Sequence, residues 1–497
     1  MIEALGQGAA TLFQPTILGF LILAVIIAQI IGFIPLLGGL MGMALLLPLI
    51  FRMSPEVGLT FLVAFHATTY TAGSITAILL NIPGTTTNAA TLIDGFPMNQ
   101  KGEGGRAIGA AVTASMCSGV LTVLWALLMI PMVLPILMVF KSPEMTLVIL
   151  LGLASLASLT GGSVVKGTIA GLMGVLISLV GRHGATGVFR FTFGSSFLWD
   201  GFRIVPIALG LFGVAELIEM LLKGQTTFAQ NIVKQKTSDI LRGAKDVWDH
   251  RWLAFRCSVI GYIIGIIPGV GAATAIFMAY AHAKQTSKHP ELFGTGIVEG
   301  VIGPEASNNS GDAGGLLTTM ALGLPGSASM GLLLGAFVMV GVTPGPRMLV
   351  DNLPLGFTLL LAIALANIIA GAICFICAPY LARVAFVHID YMFPIILVVV
   401  TVGAFVMEGE ILDVVVAFAF GLVGLIMRRS DYSRPSLLVG FVLGDLFEYY
   451  MTNSLKLVGP RFPISSVVCL ILIILNIGVF MYPYLMKISS ARRLKQS

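Results

Sequence analysis

Two stretches decide how this chain reads: GSITAILLNIPG from Gly73 to Gly84, and GLLTTMALGLPG from Gly315 to Gly326. Each begins with glycine, carries a threonine three residues on (Thr76, Thr318), runs apolar and stops at Pro-Gly, with small hydroxyl residues next. A second pair precedes them in the same order, since GFIPLLGG from Gly32 to Gly39 resembles GIIPGVGA from Gly265 to Ala272. Two matches in one order make the halves diverged copies of one unit. Internal repeats with interrupted helices are what secondary transporters show at their binding sites.

Composition sets the medium. The 497 residues are 57% hydrophobic and 10% charged, with a mean hydropathy of +0.99. Soluble globular domains carry about 25% charged residues, so that class is excluded and a lipid bilayer is implied. The 58 glycines suit helices that approach closely or break. A net charge of +5 sits in loops, where it speaks to topology and not to nucleic acid. Five cysteines (Cys117, Cys257, Cys374, Cys377, Cys469) lie in apolar sequence. The Cys374-x-x-Cys377 pair lacks a second pair or nearby histidines, so all five read as small buried hydrophobes. No basic n-region or A-x-A site precedes the first apolar segment, so a cleaved signal peptide is not expected.

Apolar runs of about 20 residues span a bilayer. They fall near 15–34, 55–80, 107–130, 143–160, 164–181 and 204–222, then near 253–267, 297–323, 353–380, 390–407, 411–428 and 464–486. Stretches at 36–51, 85–96, 271–283, 327–343 and 436–450 are too brief or glycine-rich to span, and read as half-helices or re-entrant hairpins. The expected fold is therefore an all-α polytopic membrane protein of about twelve transmembrane segments in two repeats with broken helices. The division runs 1–222 for the first repeat, 223–252 for a basic linker, 253–463 for the second repeat, and 464–497 for a last helix and basic tail.

Between Lys223 and Arg256 seven Lys or Arg face three Asp, so the positive-inside rule makes this linker, a surface helix, cytoplasmic; the tail after Tyr484 is basic too. The first fifty residues hold no Lys or Arg, which places the N-terminus outside. An outside N-terminus with a cytoplasmic linker needs an odd number of crossings and makes the repeats inverted. Six clear spans in the first half are even, so the relative orientation stays open at this point.

Backbone at bilayer depth must satisfy its own hydrogen bonds, so a Pro-Gly interruption survives only against protein or a wet cavity. After Gly84 and Gly326 a new half-helix begins, whose free N–H groups and positive dipole end suit an anion such as a carboxylate. Thr85, Thr86, Thr87 and Asn88 in one copy, and Ser327 and Ser329 in the other, add neutral donors; with Gly84, Pro325 and Gly326 they form the candidate substrate site. The bland alternative is that they cap ordinary helices, a role these residue types prefer. Two equivalent breaks favour the site.

The most polar intramembrane stretch is EASNNSGDAGG, Glu305 to Gly315. Ionisable groups at that depth are costly and by default functional. Glu305, Asn308, Asn309, Ser310 and Asp312 are candidates for a coupling ion, with sodium at Asn308 and Asp312, or a proton on a desolvated carboxylate. A surface loop is the competing reading. His66, among Thr68, Thr69, Tyr70 and Thr71, reads as a satisfied core histidine. Asp94, Lys101, Glu103 and Arg106 read as loop residues, with Lys101 or Arg106 able to attract an anion. Glu216, Glu219, Asp445 and Glu448 read as interfacial, and Trp125, Trp199, Trp248 and Trp252 as an aromatic belt.

GFPMNQKGEGGRAIGAA, Gly95 to Ala111, resembles the signature of the large membrane subunit of the tripartite tricarboxylate transporter family. NIPGTTTNAATLIDG, GIIPGVGAATA, EASNNSGDAGG and LGLPGSASMGLLLGA resemble it as well, so the likeness covers nearly the whole chain. The resemblance implies a multi-pass permease of the bacterial inner membrane. It further implies a small membrane subunit of about four helices and a periplasmic solute-binding protein as partners, and uptake of carboxylates on a sodium or proton gradient, with no other cofactor. A passive anion channel is the alternative. No G-x-x-x-x-G-K-[ST] loop occurs, which sets aside ATP-driven transport by this chain. An intramembrane aspartyl protease would need Asp312 and Asp445 together, and neither lies in a G-x-G-D context; a zinc protease would need the absent H-E-x-x-H. A transporter and not an enzyme is expected.

Overall fold

The segment Pro15–Gly32 shows how lipid shapes an outer helix. Proline opens it, where its missing N–H costs nothing. Ile22, Leu23, Ile26 and Ile30 lie exposed along one face, while Leu21, Ala24, Ala28 and Gln29 are buried on the other. An apolar outward face with a small or polar inward face is the order lipid imposes. In the computed structural model, which describes residues 1–34, 38–155, 164–184, 186–223, 236–381, 389–406 and 408–479, the chain is almost wholly helical.

Two helices form the centre: Pro55–Leu80, buried from Gly58 to Leu79, and Glu299–Leu322, buried from Gly300 to Ala321. They carry the two Pro-Gly motifs. Each is flanked by its own copy of the same neighbours. Pro15–Gly32 and Gly38–Leu46 pack on the first, and Arg251–Ile266 and Gly271–Thr286 on the second. Gly32 leaves no room for a side chain against the Thr69 carbonyl, and Gly265 leaves none against the Gly311 carbonyl, which is the matching position in the other copy.

Around this centre the sequence-derived segments recur closely. Pro15–Gly32, Pro55–Leu80, Leu353–Leu381 and Ile411–Arg429 lie within a few residues of expectation, and Gly104–Leu137 runs seven residues past its expected end at 130. Ile204–Lys223 is helical throughout, with a π-helical stretch at Leu209–Val214. Among the described residues, five helices are both long and apolar enough to cross a membrane, or six if the bent pair at residues 434–464 and Val467–Val479 counts as one span. That falls short of twelve. The other helices are shorter, or, like Glu299–Leu322, too polar to be counted although they lie at the centre.

One expectation is corrected by length. The stretch 436–450, read as a half-helix, belongs to the 25-residue helix Arg434–Val458, and a 69° bend comes later, at the break between Ile464 and the helix Val467–Val479. Asp445, Glu448 and Asn453 lower its hydropathy without stopping the helix. The parts of the 143–160 span and of the linker that fall at 156–163 and 224–235, and the tail from 480 on, lie outside the described residues. The described part of the linker forms the helix Thr237–Asp249, which lies on Gly104–Leu137 through close glycine contacts at Gly109 and Gly243. A short hairpin pairing Gly181–Arg182 with Phe189–Arg190 adds to the expected all-helical fold.

Candidate functional site

Both motif helices stop at the same place. Asn81 ends the first in the left-handed region (φ 59°), and Gly323 ends the second there (φ 68°). These are equivalent positions, and Asn and Gly are the residues that adopt this conformation at least cost. Three residues on, Gly84 folds back so that its Cα lies against Gly73, with the Gly32 carbonyl 3.0 Å from where a Cβ would sit. Gly326 lies against Gly315 in the same way, and the Gly265 carbonyl is at 3.2 Å. Each motif glycine thus meets the other end of its own motif, and the repeat is a repeat of geometry.

Beyond each break the chain crosses to the other half. The turn Thr86–Asn88 packs on Gly271–Thr286 and Glu299–Leu322, while Ala328–Met339 packs on Gly38–Leu46 and Pro55–Leu80. The hydroxyl clusters are partly used as caps. Thr85 and Asn88 form a reciprocal capping box, and the Ser327 hydroxyl accepts the Met330 N–H at 3.3 Å. Asn88 is fully buried and fully bonded: its Oδ1 accepts from the Thr85 hydroxyl (2.6 Å), and its Nδ2 donates to Ser74 Oγ (2.8 Å) and the Tyr70 carbonyl (3.1 Å). Thr86 is exposed and Ser329 half-buried, and Pro325 and Gly326 are buried.

The stretch from Glu305 to Asp312 is helix and not a surface loop, and its polar side chains are at most 3% exposed. Glu305 Oε1 accepts from Ser74 (2.6 Å) and Thr91 (2.5 Å), both in the first half, and Oε2 accepts from Asn308 (2.8 Å). Asn309 Nδ2 donates to Ser115 Oγ (2.9 Å) and Asn367 Oδ1 (2.8 Å), while its own Oδ1 is buried with no donor among the described residues. Ser310 bonds Ser118 (2.9 Å) and Ser258 (2.6 Å). Asp312 Oδ2 lies 2.9 Å from His66 Nε2, which also meets the Tyr70 hydroxyl at 2.7 Å. His66 is therefore no isolated core histidine, because it joins the two motif helices.

Sequence reasoning passed over much of this seam. Asn367 is the one amide in the apolar helix Leu353–Leu381, and a lone polar group in a span is the signal that would have found it. Ser115 and Ser118 stand three apart, on one helical face. Arg106 is bound by Asp246 (2.6 Å) and Glu103 (3.1 Å), which docks the linker helix and leaves it paired within the protein. Asp94, read as a loop residue, is fully buried: it accepts the N–H groups of Gly294 (2.9 Å), Gly296 (2.8 Å) and Ile297 (3.1 Å), and the Tyr280 hydroxyl (2.8 Å). It fixes the entry to the second motif helix. Asp312 and Asp445 sit in different surroundings, the first against His66 and the second beside the 181–190 hairpin. Cys374 is buried and bonds Gln29, as a small core residue does.

Twice-broken helices around a buried polar seam, sheathed in apolar faces, define a multi-pass helical membrane protein of the transporter class. The chain belongs to the tripartite tricarboxylate transporter TctA family, whose model it matches over residues 18–439. It is 31% identical over 455 residues to an uncharacterized 52.8 kDa protein of the TAR-I ttuC' 3' region in Agrobacterium vitis, covering 92% of this chain and 90% of that one. A second Agrobacterium vitis protein, from the TAR-II ttuC' 3' region, is 29% identical over 195 residues, 39% of this chain and 81% of its own length. No solved structure matches.

Proposed function

We propose that this chain is the large permease subunit of a binding-protein-dependent secondary transporter, importing tricarboxylates or related organic acids on a sodium or proton gradient. The observation that carries the reading is the reciprocal packing of the two breaks, each tip seated on the other half beside the buried seam. On this reading the substrate carboxylates meet the tips at Gly84 to Asn88 and Pro325 to Ser329, and the two repeats are inverted so that both tips reach the midplane. The coupling ion uses Glu305, Asn308, Asn309, Ser310 and Asp312. The Asn309 oxygen without a donor among the described residues, on the helix that also carries Glu305 and Asp312, supports a cation there. A small four-helix membrane subunit and a periplasmic solute-binding protein complete the system in the bacterial inner membrane, and the binding protein selects the acid.

Reconstituted vesicles with all three components test this. Uptake against a substrate gradient, driven by imposed sodium or proton gradients, is expected; flux that only ever runs downhill would make the chain a passive channel and defeat the proposal.

A further inference from the structure

A cavity of about 750 Å³ opens between the hairpin that pairs Gly181–Arg182 with Phe189–Arg190, Trp199–Phe202 and one face of Arg434–Val458, and shares no lining residue with the breaks. Helix Ile204–Lys223 places it. Arg203 pairs with Asp413 (2.6 Å) at the hairpin end, and Glu216 pairs with Arg428 (2.6 Å) at the linker end. The cavity thus lies at the end of the helix bundle remote from the linker. Its size suits a small molecule, for which sites run to roughly 300–1,000 Å³.

The charges sort it further. Glu448 is spent on Arg190, through bonds of 2.5 and 2.8 Å, with His183 at 3.4 Å. Asp445, one turn earlier on the same helix face and exposed, lines the cavity with no hydrogen bond or ion pair among the described residues, as does Asp200 in the Trp199–Phe202 stretch. Arg182, Thr452, Asn453 and Lys456 line it too. The lining therefore offers a cation site at Asp445 and donors about two turns further along the same helix. Asp445 and Thr452 are separated by about 10 Å along the axis, the reach of an ammonium and a phosphate two carbons apart once a hydrogen bond is added at each end. Tyr449 and Trp199, which line the cavity, are 62% and 49% exposed, and Leu457, next in sequence to the lining Lys456, is 73% exposed, which suits a site open to acyl chains.

We propose that this cavity binds the zwitterionic headgroup of an aminophospholipid, its ammonium on Asp445 and its phosphate on Arg182, Thr452 and Asn453. The test uses the full chain in nanodiscs of phosphatidylglycerol alone, or with added phosphatidylethanolamine or phosphatidylcholine, which keeps the phosphate but has no N–H to give. Phosphatidylethanolamine is expected to raise the melting temperature by about 3 °C and to be retained through delipidation, as counted by mass spectrometry. D445N removes no internal bond, so it should fold and lose that preference; T452V should weaken it. Equal effects of the three lipids, or an undiminished preference in D445N, would overturn the site. The same shift from soluble phosphoethanolamine in phosphatidylglycerol discs would overturn the lipid as its source.

Discussion

At Gly84 and Gly326 a single methyl group decides whether the break can form. Alanine at either position drives Cβ into the backbone of Gly73 or Gly315, where no side chain can swing away. Each substitution is expected to cost about 1–3 kcal/mol, read as a lower melting temperature, whereas Gly19→Ala, with open space around it, should change little. Asp312 carries a different burden. Asp312→Asn keeps the shape but removes the charge facing His66, so uptake should vanish while expression holds; Asn88→Ala should do the same by opening the first tip. Unchanged uptake in both variants would remove the site assignment.

Among the elements, the short helix Thr91–Gln100 is the connector to watch. Thr91 binds Glu305 at its start, and Asp94 binds three amides ahead of the second motif helix. Asp94→Ala removes the single oxygen that accepts all three N–H groups, and a loss of about 3 kcal/mol is expected, since hydrogen bonds to charged groups contribute about 1.5–3 kcal/mol. Chemical denaturation in detergent would measure it. The linker helix carries a pH dependence. His250, at its C-terminal end, lies 3.6 Å from Glu299 and bonds the Asp246 carbonyl. The bond to Glu299 outweighs partial burial and raises the imidazole above its ordinary 6.5. A raised folded value means the contribution is complete below the ordinary value and lost as pH climbs through the raised one. Amides of Thr237–Asp249, corrected for intrinsic rate, should exchange faster at about pH 8 than at about pH 6, and His250→Gln should erase the difference. Elements are the most legible level of this chain, because an apolar run of about 20 residues has few alternatives in lipid. The exceptions are instructive: Arg434–Val458 reads too short in sequence because its polar residues face the hairpin cavity instead of lipid, and the Gly181–Arg190 hairpin is too small to leave a periodic signal.

Across the whole molecule the halves interlock through side chains that neither half satisfies alone. Ser74 and Glu305 stand 231 positions apart in sequence and 2.6 Å apart in space. A double-mutant cycle on Ser74→Ala and Glu305→Gln should therefore show a coupling of about 1 kcal/mol or more; additivity would mean the two repeats stabilise independently. From the residues alone came the bilayer, the duplication and the positions of both breaks, because hydropathy and Pro-Gly punctuation are local properties that no partner can rewrite. The pairing of His66 with Asp312, the seating of each tip on the opposite half and the burial of Asp94 were decided only by the tertiary structure. A polar side chain in a membrane helix must find a partner, but which partner depends on how helices hundreds of residues apart come into register.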